Sequence, residues 1–283
     1  MSSVAYVNGR YVRRAEAGVS IEDRGLQFAD SIYEVWGVRA GRLLDEAGHL
    51  ERLYRSLREI RMRAPMSERA LRIVLREMQR RNHLRDGHLY LQVTRGAAKR
   101  DHMFPSDDTP ATIIITATAS DPKLEQKRAR GLRVITAPDL RWRRCDIKTT
   151  SLLANVLAKQ TAKEAGAQEA WLLDSDGLIT EGASSNAWIV DRDGVLRTRS
   201  LSQSILPGIT RERVLKLARE RQIPTEERAF TLEEALAARE AFITSATGGP
   251  VGVIAIDGET IGDGAPGPVT RRLHDAYFGA EPG

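Results

Sequence analysis

The chain has 283 residues, of which 41% are hydrophobic and 29% charged. This composition excludes wholesale disorder and allows one large domain or two modest ones. Net charge is +5, and Cys145 is the single cysteine. One cysteine cannot form an internal disulfide, and no Cys/His cluster has metal-ligand spacing. We therefore expect a cytoplasmic protein with no metal, signal peptide or membrane span.

The first half of the chain carries signals for both strands and helices. Asn8-Gly9 lies between two apolar runs and predicts a β-hairpin, because a type I′ turn needs positive φ at both central residues. Apolar spacing predicts a helix over 49–63 and a second one over 67–82, which Ser67 would cap. Runs rich in β-branched residues predict strands at 89–94 and 112–116.

A polar stretch with a proline, residues 120–124, is the predicted interdomain linker. It would join a smaller N-terminal α/β domain, residues 1–119, to a larger C-terminal domain, residues 125–283. In the second half we predict helices at 151–165, 209–222 and 231–238, and strands near 132–135, 170–173, 186–190 and 241–244. Mixed helices and strands indicate a two-domain α/β (α+β) protein.

A row of arginines accounts for part of the basic charge. Arg69, Arg72, Arg76 and Arg80 line one face of the helix at 67–82, interrupted by Glu68 and Glu77. No aromatic residues are interleaved with them, as a single-strand binder would need. A solvated face or a subunit contact is therefore favoured over a nucleic-acid site.

Five segments could carry chemistry, although each has an ordinary structural explanation when taken alone. Lys148 follows an arginine-rich run and precedes a helix; a lysine forms a Schiff base only when partly neutral, and nearby positive charge would lower its pKa. Glu181 begins a Gly/Ser-rich loop, residues 181–186, and could pair with a protonated ring nitrogen. Taken alone, Lys148 could be a surface lysine, and Glu181 could be part of a turn.

The other three segments suit anions. Residues 206–211 open a helix, where backbone N–H groups and the Thr210 hydroxyl could bind phosphate, or Thr210 could be the N-cap. The glycine-rich segment 244–249 follows a strand and could also take phosphate. A basic loop with Arg100 and His102 could clamp a carboxylate or simply be exposed.

The order and wording of these segments resemble the fold-type IV pyridoxal-phosphate (PLP) aminotransferases, and within them the D-amino-acid aminotransferases. The resemblance runs from about Tyr6 to Arg272. The motifs that carry it are Glu22-Asp23-Arg24-Gly25, Ser31-Ile32-Tyr33-Glu34-Val35, His49-Leu50-Glu51-Arg52-Leu53, Val93-Thr94-Arg95-Gly96, Arg144-Cys145-Asp146-Ile147-Lys148, Leu157-Ala158-Lys159-Gln160, Glu181-Gly182 with Ser185-Asn186, and Gly208-Ile209-Thr210-Arg211.

The resemblance implies PLP as the cofactor and assigns roles to residues of this chain. Lys148 would form the Schiff base and then shuttle the proton, and Glu181 would keep the pyridine nitrogen protonated. Leu206 would pack against the ring. Arg52 would grip the phosphate, and the other cofactor-binding residues would be Ser185, Ile209, Thr210, Ser245, Ala246 and Thr247.

For the substrate, the resemblance implies a carboxylate trap of Tyr33 with Arg100 and His102. In this branch the arginine and histidine come from the neighbouring subunit, so a homodimer is implied. The implied reaction transfers the amino group of D-alanine or D-glutamate to a 2-oxo acid such as 2-oxoglutarate or pyruvate. The alternatives are an L-branched-chain aminotransferase, a PLP lyase of the aminodeoxychorismate lyase type, and a non-enzymatic basic binding module.

Two loops depart from the pattern of the branch. Thr149-Thr150-Ser151 stands where Ser-Leu-Asn is usual, and Gly248-Gly249-Pro250 replaces a Ser-Glu pair. Ala246 occupies a position that usually holds a hydroxyl residue. Loss of that donor would weaken PLP retention by about 1 kcal/mol unless water or Thr247 replaces it.

Overall fold

In a computed structural model, which describes residues 3–279 except for the side chain of Lys127, the chain divides into two compact units. The first unit extends to Asp121 and includes Ile147–Ser151. The second comprises Pro122–Asp146 and continues from Leu152. The chain therefore passes through the first unit twice, and Lys148 lies in the second passage. The predicted domain limits, 1–119 and 125–283, stay a prediction.

The first unit contains an antiparallel sheet with the order β2-β1-β6-β5-β3-β4. Its strands are β1 (Val4–Val7), β2 (Arg10–Arg13), β3 (Ser31–Arg39), β4 (Arg42–Leu43), β5 (Gly87–Thr94) and β6 (Thr112–Ala119). Its helices are α1 (Arg24–Phe28), α2 (Glu46–Glu59) and α3 (Glu68–Arg81), with a 3-10 turn at Arg14–Glu16.

The local signals of this unit produce the elements that the sequence predicts. Asn8 and Gly9 both have positive φ and join β1 to β2 as a two-residue turn. Ser67 caps α3 by accepting a hydrogen bond from the amide of Ala70. Helix α2 begins earlier than predicted and ends at Glu59, since Arg61 adopts a left-handed conformation that a helix cannot continue through.

Strand β3 packs against helix α2, and its alternate residues are buried beneath that helix. Ile32, Glu34, Trp36 and Val38 are buried, whereas Tyr33 and Val35 are half-buried. Since successive side chains of a strand point to opposite faces, Glu34 shares the helix-covered face with the core and Tyr33 lies on the other. The core around β3 is apolar and dominated by Trp36, Leu50 and Leu53.

In the second unit the described residues form a mixed sheet with the order β12-β11-β10-β13-β14-β7-β8-β9, and β15 pairs with β14. Its strands are β7 (Leu132–Pro138), β8 (Glu169–Leu173), β9 (Ile179–Gly182), β10 (Asn186–Val190), β11 (Leu196–Thr198), β12 (Thr225–Glu227), β13 (Glu240–Ser245), β14 (Gly249–Ile256) and β15 (Glu259–Thr260). Its helices are α4 (Leu124–Arg130), α5 (Leu153–Glu164), α6 (Ile209–Glu220), α7 (Leu232–Leu236) and α8 (Pro268–Gly279).

This second sheet curls on itself. Strand β9 lies at one end of the strand order, yet residues 183–185 alone connect it to β10 near the other end. Because a residue spans at most about 3.6 Å of extended chain, such a short link keeps the two strands close. The curl brings Glu181 of β9 next to Asn186 of β10, which donates to it at 2.9 Å.

The apolar residues of the helix predicted at 151–165 are only partly buried. Ala158 and Ala162 of α5 pack into a small core, but Leu153, Val156 and Leu157 are 72%, 58% and 59% exposed. Small side chains let the helix approach the sheet closely, and the large ones point outward. The result is an exposed apolar patch, of the kind that marks an interaction surface.

The basic face predicted on α3 is largely neutralised by carboxylates. Arg72 pairs with Glu68, Arg80 pairs with Glu77, and Arg76 pairs with Glu46 of α2. Over residues 3–279 no helix combines the length and apolar character of a membrane span. The same residues hold no group of three or more side chains suited to bind a metal ion.

Candidate active site

Lys148 lies on a short extended segment beside strand β3. Thr149 forms an antiparallel bridge with Ile32, and the amide of Tyr33 donates to the carbonyl of Lys148 at 2.9 Å. Ile147 is buried in the first core. With the backbone fixed in this way, the Lys148 Nζ lies 4.2 Å from the centre of the Tyr33 ring, within cation–π distance. The structure thus brings two predicted site residues together.

The arginines before Lys148 are paired with carboxylates. Arg144 donates to Asp146 at 2.9 Å. Arg141 is 7% exposed at its side chain and forms two hydrogen bonds to Asp139, of 2.9 and 2.7 Å. The positive potential expected from this run is therefore largely balanced locally.

Glu181 lies within strand β9 and is buried, so the prediction that it begins a loop was wrong. Asn186 begins β10, and the loop is only residues 183–185. The turn is tight because Gly182 has no side chain: a Cβ there would lie 2.2 Å from the Ser185 hydroxyl. This close approach makes the two strands longer, and the loop shorter, than the Gly/Ser composition suggests.

Three donors surround the carboxylate of Glu181. Its Oε1 accepts hydrogen bonds from the Arg141 guanidinium and, at 3.1 Å, from the amide of Leu206. Its Oε2 accepts one from Asn186. Burial raises the pKa of Glu181, and Arg141 opposes this by stabilising the charged form. Although burial acts against it, the pKa of Arg141 itself is raised, because Asp139 and Glu181 both stabilise the cation.

Helix α6 begins close to this carboxylate. Gly208 is its N-cap, and a Cβ at that position would lie 2.0 Å from the Asn186 side-chain oxygen. The first backbone N–H groups of a helix have no partner within the helix. Thr210 is 3% exposed, yet its hydroxyl has no hydrogen-bond partner among the described residues. Gly208 occupies the cap position, so the N-cap interpretation of Thr210 was wrong.

The second predicted phosphate segment is a tight turn at the end of β13. The Ser245 hydroxyl accepts a hydrogen bond from the Gly248 amide at 3.1 Å and still has its own proton to donate. The carbonyl of Thr247 accepts a hydrogen bond from Arg128 at 2.6 Å, which ties the turn to helix α4. Ala246, between these two residues, supplies no side-chain donor but retains its backbone amide.

Ser185 and Leu206 are tied to the same region. The Ser185 hydroxyl donates to Glu169 at 3.2 Å. The carbonyl of Leu206 accepts from Asn186 at 3.1 Å, while its amide donates to Glu181. Asn186 therefore links the buried carboxylate to the segment that leads into helix α6.

Arg52 lies in the interior of the first unit, on helix α2. Its Nε donates to Glu34 Oε1 at 2.7 Å, and its Nη2 donates to Glu34 Oε2 at 2.8 Å. The His49 Nδ1 lies 2.8 Å from the same Oε2. Although burial acts in the opposite direction, Arg52 holds the pKa of Glu34 well below its ordinary value.

Arg100 and His102 lie on an exposed loop after β5. Both contact Phe28: the ring lies 5.4 Å from the His102 ring and 5.0 Å from the Arg100 guanidinium carbon. Arg24 donates to the carbonyl of Asp101 at 2.6 Å, which ties the loop to helix α1. The structure thus gathers the two predicted trap residues on one exposed loop.

The donor set of these residues fits PLP. A phosphate needs fixed N–H and O–H donors. The start of α6 offers backbone amides and the Thr210 hydroxyl, which has no hydrogen-bond partner among the described residues. A protonated pyridine nitrogen needs a buried carboxylate that stays charged, and Glu181 has Arg141 for that purpose. The aldehyde needs a lysine amine, and the amine of Lys148 lies over the Tyr33 ring.

The sequence did not predict the contacts of four residues that surround the predicted site residues. Asn186, Glu34 and His49 all stand within the recognised motifs, but nothing in their spacing indicated which side chains they contact. Arg141 is separated from Glu181 by 40 positions. The short spacing from Asp139 to Arg141 was the one local hint of an ion pair.

Comparison with known proteins identifies relatives of similar length. Residues 31–256 match the family model described as amino-transferase class IV. A D-alanine aminotransferase from Bacillus licheniformis is 46% identical over 269 residues, which cover 95% of this chain and 94% of that protein.

Solved structures with similar folds include branched-chain amino acid aminotransferases. The enzyme from Escherichia coli superimposes with a TM-score of 0.92 at 27% identity, covering 99% of this chain and 94% of that one. A T.th. enzyme, solved with pyridoxamine 5′-phosphate, gives a TM-score of 0.89 at 28% identity, covering 98% and 93%. The predicted mixture of helices and strands is therefore the fold-type IV fold.

Proposed function

The chain belongs to the class IV aminotransferase family, and we propose that it transaminates D-amino acids, with D-alanine and D-glutamate as donors and a 2-oxo acid such as 2-oxoglutarate or pyruvate as acceptor. The observation that carries the choice of donor is the 46% identity to a D-alanine aminotransferase over nearly the whole chain. The cofactor is PLP, which supplies an electron sink for the bond to the Cα hydrogen and carries the amino group between the two substrates.

Lys148 is the proposed Schiff-base residue and proton carrier. Its backbone is fixed against β3, so the amine can move only through side-chain torsions. Once released from the cofactor aldehyde, the Nζ accepts the proton from Cα of the substrate and later returns it. The Tyr33 ring keeps the protonated amine nearby through a cation–π contact.

Glu181 is the proposed partner of the pyridine nitrogen. A carboxylate can hold that proton on nitrogen only while it is itself charged. Burial alone would favour the neutral acid, and Arg141 and the Leu206 amide favour the anion. Leu206 would contact the ring, and Ser185 would assist from the neighbouring turn.

The phosphate is assigned to donors on several segments. Ile209 and Thr210 would bind it at the start of α6, and the Thr210 hydroxyl has no competing partner among the described residues. Ser245, Ala246 and Thr247 would add donors from the turn after β13. Arg52 would supply the permanent positive charge that a phosphate dianion favours.

The substrate carboxylate would be bound by Tyr33 together with Arg100 and His102 of a second subunit. The exposed loop that carries Arg100 and His102, and the exposed apolar residues Leu153, Val156 and Leu157, support a homodimer. Anchoring the carboxylate on one side fixes which face of Cα meets Lys148, and so selects the enantiomer. A single cysteine fits a reducing, cytoplasmic setting.

The test is a single-turnover half-reaction. Purified holoenzyme is mixed with D-alanine, and separately with L-leucine, while the absorbance of the PLP form is followed as it converts to the pyridoxamine form. We expect conversion with D-alanine. Conversion with L-leucine alone would instead support a branched-chain aminotransferase, the class to which the solved neighbours belong. Turnover that needs no 2-oxo acid would support a lyase.

A further inference from the structure

We propose that Glu34, assisted by His49, is a positioning residue that orients Arg52 toward the cofactor phosphate and so makes the enzyme discriminate between PLP and unphosphorylated pyridoxal. The inference rests on the proposed role of Arg52. It concerns residues of the first unit alone, and it assigns a task to two buried polar side chains that the catalytic scheme leaves unused.

The contact between Glu34 and Arg52 fixes the plane of the guanidinium. Glu34 binds one edge of Arg52 through two hydrogen bonds, to Nε at 2.7 Å and to Nη2 at 2.8 Å. Two parallel bonds to a planar group define its rotation as well as its position. The position and rotation of the Arg52 guanidinium are therefore set by the carboxylate of β3 and not by the flexible arginine side chain.

His49 fixes the carboxylate in turn. It lies on α2, three residues before Arg52, and its Nδ1 is 2.8 Å from Glu34 Oε2. Burial lowers the pKa of His49, so the ring is neutral at physiological pH. A neutral ring in this contact carries its proton on Nδ1 and donates it to Glu34. The ring also packs against Trp36, at 5.7 Å between centroids.

The burial of this group argues for a task beyond stability. Glu34, His49 and Arg52 are 0%, 2% and 6% exposed. Buried ion pairs often contribute no more to folding than apolar side chains of similar size, because desolvation offsets their attraction. A guanidinium kept charged and immobile in an apolar core is, in contrast, what recognition of a phosphate dianion requires.

The position of Glu34 on β3 also relates the phosphate clamp to the reactive amine. Tyr33, the preceding residue, donates its amide to the carbonyl of Lys148. Glu34 points to the helix-covered face of the same strand. Strand β3 therefore holds the backbone of Lys148 and the guanidinium of Arg52 in one rigid element, which fixes the two attachment points of the cofactor relative to each other.

The experiment measures two dissociation constants, for PLP and for pyridoxal, on the full chain after removal of its cofactor. The readout is the ratio of the pyridoxal constant to the PLP constant, because it isolates the phosphate contribution and is insensitive to general loosening. Glu34→Gln is the test variant. Glu46→Gln is the matched control, since Glu46 is also a buried glutamate of the α2 region that pairs with two arginines, Arg72 and Arg76.

We expect Glu34→Gln to lower the pyridoxal-to-PLP ratio by about ten- to a hundredfold, as expected when a charged hydrogen-bond pair is lost. Glu46→Gln should leave the ratio within about twofold of wild type. An equal loss of affinity for both ligands in Glu34→Gln would mean a merely structural role and would overturn the inference. In the Arg52→Met background, Glu34→Gln should have no further effect on the ratio.

Two more variants keep the outcome decisive. If Glu34→Gln does not fold, His49→Ala should lower the ratio severalfold, and His49→Asn, whose amide can donate from nearly the same place, should restore it. An unchanged ratio in His49→Ala would then overturn the inference. Arg52→Met tests the underlying proposal separately: if it leaves the ratio unchanged, Arg52 does not bind the phosphate; if it collapses the ratio while Glu34→Gln does not, only the positioning role fails.

Discussion

Replacing Arg141 with methionine should destabilise the protein strongly, and in a manner that depends on pH. The Arg141 side chain is 7% exposed and stands between two carboxylates, Asp139 and Glu181, at 11% and 5% exposure. It also donates to the carbonyl of Ser204 at 3.1 Å. Methionine preserves much of the length of the side chain but leaves both buried carboxylates without their cation.

The magnitude follows from the cost of an unpaired buried charge. Removing one partner of a buried ion pair typically costs about 3–5 kcal/mol. The matched control is Arg144→Met, because Arg144 pairs with Asp146 but is 33% exposed; there we expect a loss of about 1 kcal/mol or less. Chemical denaturation of the two variants beside wild type gives both free energies of unfolding.

The sign of the pH dependence is determined by the protonation of the carboxylates. Without Arg141, the pKa of buried Glu181 rises further above its unfolded value, so the folded state binds protons more readily than the unfolded state. Stability then increases as the pH falls. The deficit of Arg141→Met relative to wild type should therefore shrink between about pH 8 and pH 5. A loss below about 1 kcal/mol, or one that is constant with pH, would refute the assignment of Arg141 as the buried counter-ion of Glu181.

Four further predictions test other parts of the site. Lys148→Ala should keep a free energy of unfolding within about 1 kcal/mol of wild type yet lose transamination; borohydride reduction of wild-type holoenzyme should tag the peptide containing Lys148, and a tag elsewhere would exclude that lysine. Thr210→Val should not lower the stability of the cofactor-free protein, because its hydroxyl has no partner in the described chain, but should weaken PLP binding about five- to tenfold in equilibrium titration. Arg100→Ala should reduce kcat/KM for D-alanine by about 30- to 1000-fold, and unchanged kinetics would remove Arg100 from the substrate site. Half-buried Cys145, whose pKa burial raises to about 11, should react with iodoacetamide at mildly alkaline pH about two orders of magnitude more slowly than an ordinary thiol; rapid labelling would contradict the raised pKa.

The elements that the sequence predicts best are those fixed by short-range chemistry. Asn8-Gly9 forms its turn and Ser67 caps α3, since the interactions that define them lie within a few residues. The short helix predicted from Thr231 is confirmed for the same reason: Thr231 and Glu234 form a reciprocal capping box. Its last predicted residues are not helical, as α7 ends at Leu236.

Elements fixed by tertiary packing were not predictable in the same way. Strand β3 is buried on one face and half-buried on the other, and charged Glu34 interrupts its apolar run, so neither alternation nor hydrophobicity identifies it. The glycine and serines that follow Glu181 are typical of a loop, so the sequence placed Glu181 in one. In the structure the close contact between Gly182 and Ser185 allows a turn of only three residues, and Glu181 lies within strand β9. The spacing in α5 predicted a helix but not which of its apolar residues are buried: the alanines pack on the sheet and the leucines are exposed.

The candidate site shows the same division between what short-range chemistry fixes and what tertiary packing fixes. A motif identifies side chains with suitable chemistry, such as Lys148, Glu181 and Arg52, but the ionisation and orientation of each depend on partners supplied by the fold. Arg52 obtains Glu34 from a neighbouring strand, and Glu181 obtains Arg141 from a segment 40 residues away. Such buried pairs contribute little net stability when intact and cost much when broken, so selection for folding alone gives weak reason to retain them. The Glu34–Arg52 pair holds a cation at the position assigned to the phosphate, and the Arg141–Glu181 pair holds an anion at the position assigned to the ring nitrogen. The charges of the cofactor explain these two pairs more directly than the requirements of the core do.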